Sequence, residues 1–141
     1  MEAEGQVPIR SESDIVEVRR KAREEAGRAG FGITDVTRIV TAASELARNV
    51  FLYAGSGVMK WRRLGSDGGD TGLELVFIDE GPGISDTEQA MQPGYSTSGG
   101  LGLGLPGARR LLDELEIESV PGGGTRVTGR KWLTRMAARR T

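Results

Sequence analysis

The sequence predicts an α+β two-layer sandwich, with helices covering one face of a mixed, mostly antiparallel sheet. Three observations lead there. Two long segments in the first third of the chain carry apolar residues at helical spacing. Short apolar runs follow, joined by turn-forming residues in the manner of paired strands. Many of the 22 glycines cluster at positions 65–72, 94–107 and 122–129, between the periodic segments, where a backbone must bend or approach something closely.

Met1 to Pro8 is polar and acidic, lacks the apolar stretch of a signal peptide, and is assigned no element. Ser11 to Ala29 reads as a helix, with Ser11 or Ser13 as its cap, a stripe of Ile15, Val18, Ala22 and Ala26, and Gly27 and Gly30 as its stop. A second helix runs from near Thr34 to about Tyr53. Asp35 lies in its first turn, Ile39, Ala43, Leu46 and Val50 form its buried side, and Gly55 ends it.

Val58–Leu64 and Leu73–Ile78 read as strands around the turn Gly65-Ser66-Asp67-Gly68-Gly69. Asp79 to Gly100 is irregular, with a short helical turn around Asp86–Met91. A loop of about twenty residues is long for a compact domain unless it serves a function, which points to a lid over a ligand. Leu103–Leu115 is a third helix, buried through Leu105, Ala108, Leu111, Leu112 and Leu115. Ile117–Val120 and Arg126–Leu133 close the chain as strands around Pro121-Gly122-Gly123-Gly124. Residues 1–141 form one domain, with 136–141 a disordered basic tail.

Composition removes several classes of function. The chain has no cysteine and no histidine, which excludes disulfides, thiolate and imidazole metal sites, a Ser-His-Asp triad and a phosphohistidine of its own. Its 19 basic and 20 acidic residues nearly cancel, so neither nucleic acid nor an anionic membrane is expected as a partner. No run approaches the roughly 18 apolar residues of a membrane span, and the expected location is the cytoplasm.

Four motifs carry chemistry. Glu45 and Asn49 lie four apart, on one face of the second helix, where a carboxylate and a carboxamide oxygen can serve a hard cation and a proton transfer together. Asp79-Glu80-Gly81-Pro82-Gly83 follows a strand. A carboxylate there can accept a hydrogen bond from an exocyclic amine, and Gly81 and Gly83 let a flat base lie against the backbone. Gly100-Leu101-Gly102-Leu103-Gly104 opens a helix, where free N–H groups can cradle phosphate. Gly124-Thr125 places a hydroxyl at the start of the last strand, able to support Asp79 or a bridging water. Each motif alone is commonplace; the ordered set is not. No Walker Gly-Lys-Ser/Thr and no His-Arg-Asp or Asp-Phe-Gly set is present.

In this order the motifs resemble the N, G1, G2 and G3 boxes of the GHKL (Bergerat) ATPases, a family that includes histidine kinases and anti-sigma kinases. The resemblance implies Mg2+ and ATP as cofactors. It implies Glu45 as the catalytic residue and Asn49 as the metal ligand. Asn49, Asp79, Gly81, Gly83, Gly100, Leu101, Gly102, Leu103, Gly104 and Thr125 would form the nucleotide site, with 94–99 as lid.

Within that family, Thr41-Ala42-Ala43-Ser44-Glu45-Leu46-Ala47-Arg48-Asn49 with Leu52-Tyr53-Ala54-Gly55 is similar to the RsbT switch kinases of stressosomes. Gly94 to Gly102 and Lys131-Trp132-Leu133 carry the same likeness. The implied activity is a protein serine/threonine kinase acting on STAS-domain stressosome proteins and activating a PP2C-type phosphatase once released. The residues leave one alternative open, an ATP-dependent anti-sigma factor that sequesters a partner without obligatory catalysis. The basic end, Met136–Thr141, and the glycine-rich turn at 65–72 depart from the family pattern, outside the motifs.

Overall fold

Apolar periodicity and strand alternation organise the chain into two layers. The structure, a computed structural model, describes residues 3–65, 71–81, 104–119 and 122–133. Among these residues the elements run β1 (Glu4–Ile9), α1 (Glu12–Ala29), α2 (Ile33–Ala54), β2 (Gly57–Leu64), β3 (Gly72–Asp79), α3 (Gly104–Leu111), β4 (Glu114–Ser119) and β5 (Thr125–Trp132). The strands make one sheet in the order β1-β2-β3-β5-β4, and every described pairing is antiparallel.

The helices pack on the sheet face to which Val7, Ile9, Met59, Trp61, Leu73, Leu75 and Phe77 point. Into this layer α2 delivers Ile39, Ala43, Leu46 and Val50, and α1 delivers Ile15, Val18, Ala22 and Ala26. Fully burying a large aliphatic or aromatic side chain contributes about 1.5–3 kcal/mol, so this one layer supplies most of the drive to fold.

Ser11 occupies the cap position before α1, but its hydroxyl is bonded to that of Ser13, 2.9 Å away. No side chain caps this helix; Asp14 Oδ2 accepts the N–H of Arg10, just ahead of the cap position, at 2.8 Å. Glu25 sits within the buried stripe of α1 and is completely enclosed. Burying a carboxylate is costly unless it is paired. Glu25 is paired with Arg63 of β2 and with Arg28 at 2.7 Å, which ties α1 to the sheet. Trp61 lies beside this pair, with Lys21 and Arg63 at 5.4 and 5.7 Å from its ring centroid.

The opposite face of the sheet is held by a row of charges crossing the strands. Arg62, Glu74, Arg130 and Glu114 are successive cross-strand partners. Glu74 accepts from Arg130 at 2.9 Å and pairs with Arg62 at 3.2 Å, and Arg130 also reaches Glu114 at 2.9 Å. The hydrogen bond to Glu74, followed by that to Glu114, raises the proton affinity of Arg130 against the opposing effect of its partial burial.

Two expectations are corrected. The N-terminal segment assigned no element contains β1, whose Val7 and Ile9 are buried against α1 while Pro8 occupies an edge strand, where its missing N–H costs nothing. The third helix is shorter than expected and ends at Leu111. The Asp113 carboxylate accepts the Trp132 N–H at 2.7 Å and its own N–H donates to the Arg130 carbonyl at 2.9 Å, turning the chain into β4. Leu115 therefore belongs to a strand and is partly buried against the core. All but Gly65 of the turn at 65–69, the helical turn at 86–91, the lid at 94–99, Val120 and the tail at 136–141 lie outside the described residues.

Removing Glu25 breaks the buried ion pairs it makes with Arg63 and Arg28. Glu25→Ala is expected to lower the unfolding free energy by about 3 kcal/mol in urea denaturation.

Candidate functional site

The end of α2 and the end of β3 meet at one corner of the molecule, and glycines make the approach close. A Cβ on Gly81 would lie 2.6 Å from the Ala54 Cβ, so a side chain there would force the segment after Asp79 away from α2. A Cβ on Gly57 would meet both Val50 Cγ1, at 2.6 Å, and Asp79 Cβ, at 3.2 Å. Val50 and Asp79 therefore converge on the same α-carbon. Asn49, the residue before Val50, lies five residues before Ala54, about 7.5 Å of helical rise.

Asp79 is half-buried at the end of β3, between Gly57 on one side and Thr125 on the other. Its Oδ1 accepts the Gly81 N–H at 2.9 Å, an Asx turn that fixes the carboxylate at the mouth of the strand. Its other oxygen has no partner among the described residues and remains able to accept a hydrogen bond.

Gly124 has φ of +93°, a conformation that disfavours side chains, and a Cβ there would run into the Asp79 carbonyl oxygen. The Thr125 hydroxyl lies 3.0 Å from that of Ser119, and Ser119 donates to the Gly124 carbonyl at 3.1 Å. Thr125 thus stands opposite Asp79 through the backbone register, with its hydroxyl engaged by Ser119. Ser119 was not singled out in the sequence, where a serine at a strand end carries no distinguishing signal.

Glu45 and Asn49 are both half-buried, one turn apart on α2. The Glu45 Oε1 accepts from Arg48 Nη1 at 3.0 Å. The Asn49 carboxamide has no hydrogen-bond partner among the described residues. Gly104 is the first residue of α3, which packs against α2 through its Leu105 and Ala108 side. Gly83, Gly100, Leu101, Gly102 and Leu103 lie outside the described residues. The ends of α2, β3 and β5 thus meet around Ala54, Asp79, Gly81 and Thr125, with Asn49 next to Val50 and Glu45 one turn earlier, in the middle of α2.

Residues 8–131 match the histidine kinase-like ATPase domain family. The chain belongs to that family. It is 50% identical over 127 residues to the serine/threonine-protein kinase RsbT of Bacillus subtilis, an alignment covering 90% of this chain and 95% of the relative. This places it in the RsbT-type serine/threonine kinase group, as an ATP-using protein kinase. An anti-sigma F factor of Caldanaerobacter subterraneus is 35% identical over 106 residues, covering 73% of this chain and 74% of that protein.

Solved structures share the fold at lower identity. The RsbU and RsbW domains of a Mycobacterium tuberculosis protein superpose with a TM-score of 0.56 at 19% identity, covering 90% of this chain and 32% of that one. The mycobacterial sensor histidine kinase MprB gives 0.55 at 17% identity, covering 91% and 96%. No helix among the described residues is long and apolar enough to cross a membrane.

Gly124→Ala combines a left-handed backbone with a collision at the Asp79 carbonyl. It is expected to lower stability by more than about 1 kcal/mol, read from thermal denaturation.

Proposed function

We propose that this kinase uses Mg2+ and ATP to phosphorylate serine or threonine on STAS-domain stressosome proteins, and that the released kinase activates a PP2C-type phosphatase in the cytoplasm. The observation that carries the site assignment is the corner itself. An anchored carboxylate, Asp79, stands beside the end of α2, the helix that carries Asn49 and, one turn earlier, Glu45. The partner assignment is supported by the similarity to RsbT along nearly the whole chain.

Asp79 accepts the adenine amine through its uncommitted oxygen, and Gly81 and Gly83 leave room for the ring. Gly100, Leu101, Gly102, Leu103 and Gly104 close over the phosphates with backbone N–H groups at the start of α3. The Asn49 side-chain oxygen, which has no partner among the described residues, would offer magnesium one protein ligand. Phosphate oxygens and water complete such a shell, as magnesium favours. When bound, the ion neutralises phosphate charge.

In the transfer, the acceptor hydroxyl oxygen bonds to the γ-phosphorus and the bond to the β,γ-bridging oxygen breaks, releasing ADP. The hydroxyl proton passes to a Glu45 carboxylate oxygen and from there to water. The product carries about −1.5 to −2 charges, which Glu45 and Asp79 repel, favouring release of the partner.

The test is incubation with magnesium, ATP labelled in its γ-phosphate and a STAS-domain partner. Glu45→Ala is expected to bind ATP normally and lose at least ~10²-fold in transfer, whereas Asp79→Asn weakens ATP binding about tenfold. Transfer retained by Glu45→Ala removes Glu45 from the mechanism, and unchanged affinity in Asp79→Asn removes the adenine assignment. Tight ATP binding with no labelled partner favours the sequestering role suggested by the anti-sigma F similarity.

A further inference from the structure

We propose that Arg48 is a positioning residue for phosphoryl transfer, fixing the Glu45 carboxylate by one oxygen so that the other is presented to the acceptor proton. The proposal rests on the assignment of Glu45 as proton acceptor. Arg48 follows Glu45 by three residues on α2, and its Nη1 lies 3.0 Å from Glu45 Oε1. Among the described residues Arg48 makes no other ion pair and the second Glu45 oxygen has no partner, so the two side chains pair there only with each other.

Stability is a poor account of it. The Arg48 side chain is 49% exposed and that of Glu45 26%. An ion pair so open to water contributes little to folding. Its effect is instead local. A glutamate has three rotatable side-chain bonds and, at the surface of a helix, several accessible rotamers. A single guanidinium contact selects one of them, and rates of group transfer are sensitive to misplacement of the reacting groups on the ångström scale.

The other charges of α2 do not substitute. Arg38 is paired with Asp35 at 3.0 Å, two turns earlier on the helix. Lysine at position 48 retains a cation within reach of Glu45 but offers a point charge where arginine offers a planar fork. Replacement by lysine should restore part of the effect.

The experiment uses the full chain with Mg-ATP and a STAS-domain partner, comparing wild type, Arg48→Ala, Arg48→Lys and Glu45→Ala. The expected result for Arg48→Ala is a kcat about tenfold lower, with KM for ATP, KM for the partner and Tm unchanged. Arg48→Lys should recover at least a third of the lost kcat. Wild-type kcat in Arg48→Ala overturns the proposal, and so does a loss confined to KM for the partner, which would make Arg48 a docking residue. A fall in Tm that accounts for the lost activity also overturns it. If Glu45→Ala is inactive while Arg48→Ala is normal, this inference alone fails. If Glu45→Ala transfers phosphate at the wild-type rate, the assignment of Glu45 fails and this inference fails with it.

Discussion

The close seating of α2 on the ends of β2 and β3 is the constraint on which the rest of this molecule depends. Val50 and Ala54 approach the backbone at Gly57 and Gly81 so closely that no Cβ fits between them. That contact sets the end of α2 against the end of β3, where the proposed site residues Asn49 and Asp79 lie on neighbouring elements. Ile39, Leu46 and Phe77 are buried in the one apolar core that holds α2 on the sheet. Chemistry at this corner then requires little beyond positioning, which suits phosphoryl transfer.

A second set of interactions keeps the far end of the sheet in register. The buried Glu25 links α1 to β2, and the alternating row of Arg62, Glu74, Arg130 and Glu114 links β2 through to β4. Asp113 gathers Lys131 and the Trp132 N–H, which fixes where β4 begins relative to β5. Charges here act as alignment devices between elements. The proposed site uses its polar groups differently: among the described residues Asn49 and one oxygen each of Glu45 and Asp79 have no partner.

Much of this was legible in the sequence, for identifiable reasons. The helical stripes of α1 and α2 are long enough to declare their period, and β2 and β3 alternate or run apolar between clear turns. The strand β1 was hidden because only Val7 and Ile9 mark it and a proline interrupts it; its identity depends on an edge position that only the assembled sheet reveals. The overrun of the third helix had the opposite cause. Leu112 and Leu115 continue the helical spacing, and the competing bonds of Asp113 come from β5, distant in sequence. The motif residues Glu45, Asn49, Asp79 and Gly81 were proposed from order and spacing, whereas nothing in the chain foretold the close approach of Ala54 to Gly81. Ser119 and Arg48 became visible only through their distances to Thr125 and Glu45.

The most direct test of the central claim, that this corner is a Mg-ATP site built for transfer, is a crystal structure with magnesium and a non-hydrolysable ATP analogue. The account predicts the adenine amine on the Asp79 carboxylate, the metal on the Asn49 side-chain oxygen and the Glu45 carboxylate beside the γ-phosphate. A nucleotide bound away from Asp79, or a metal with no bond to Asn49, would contradict it.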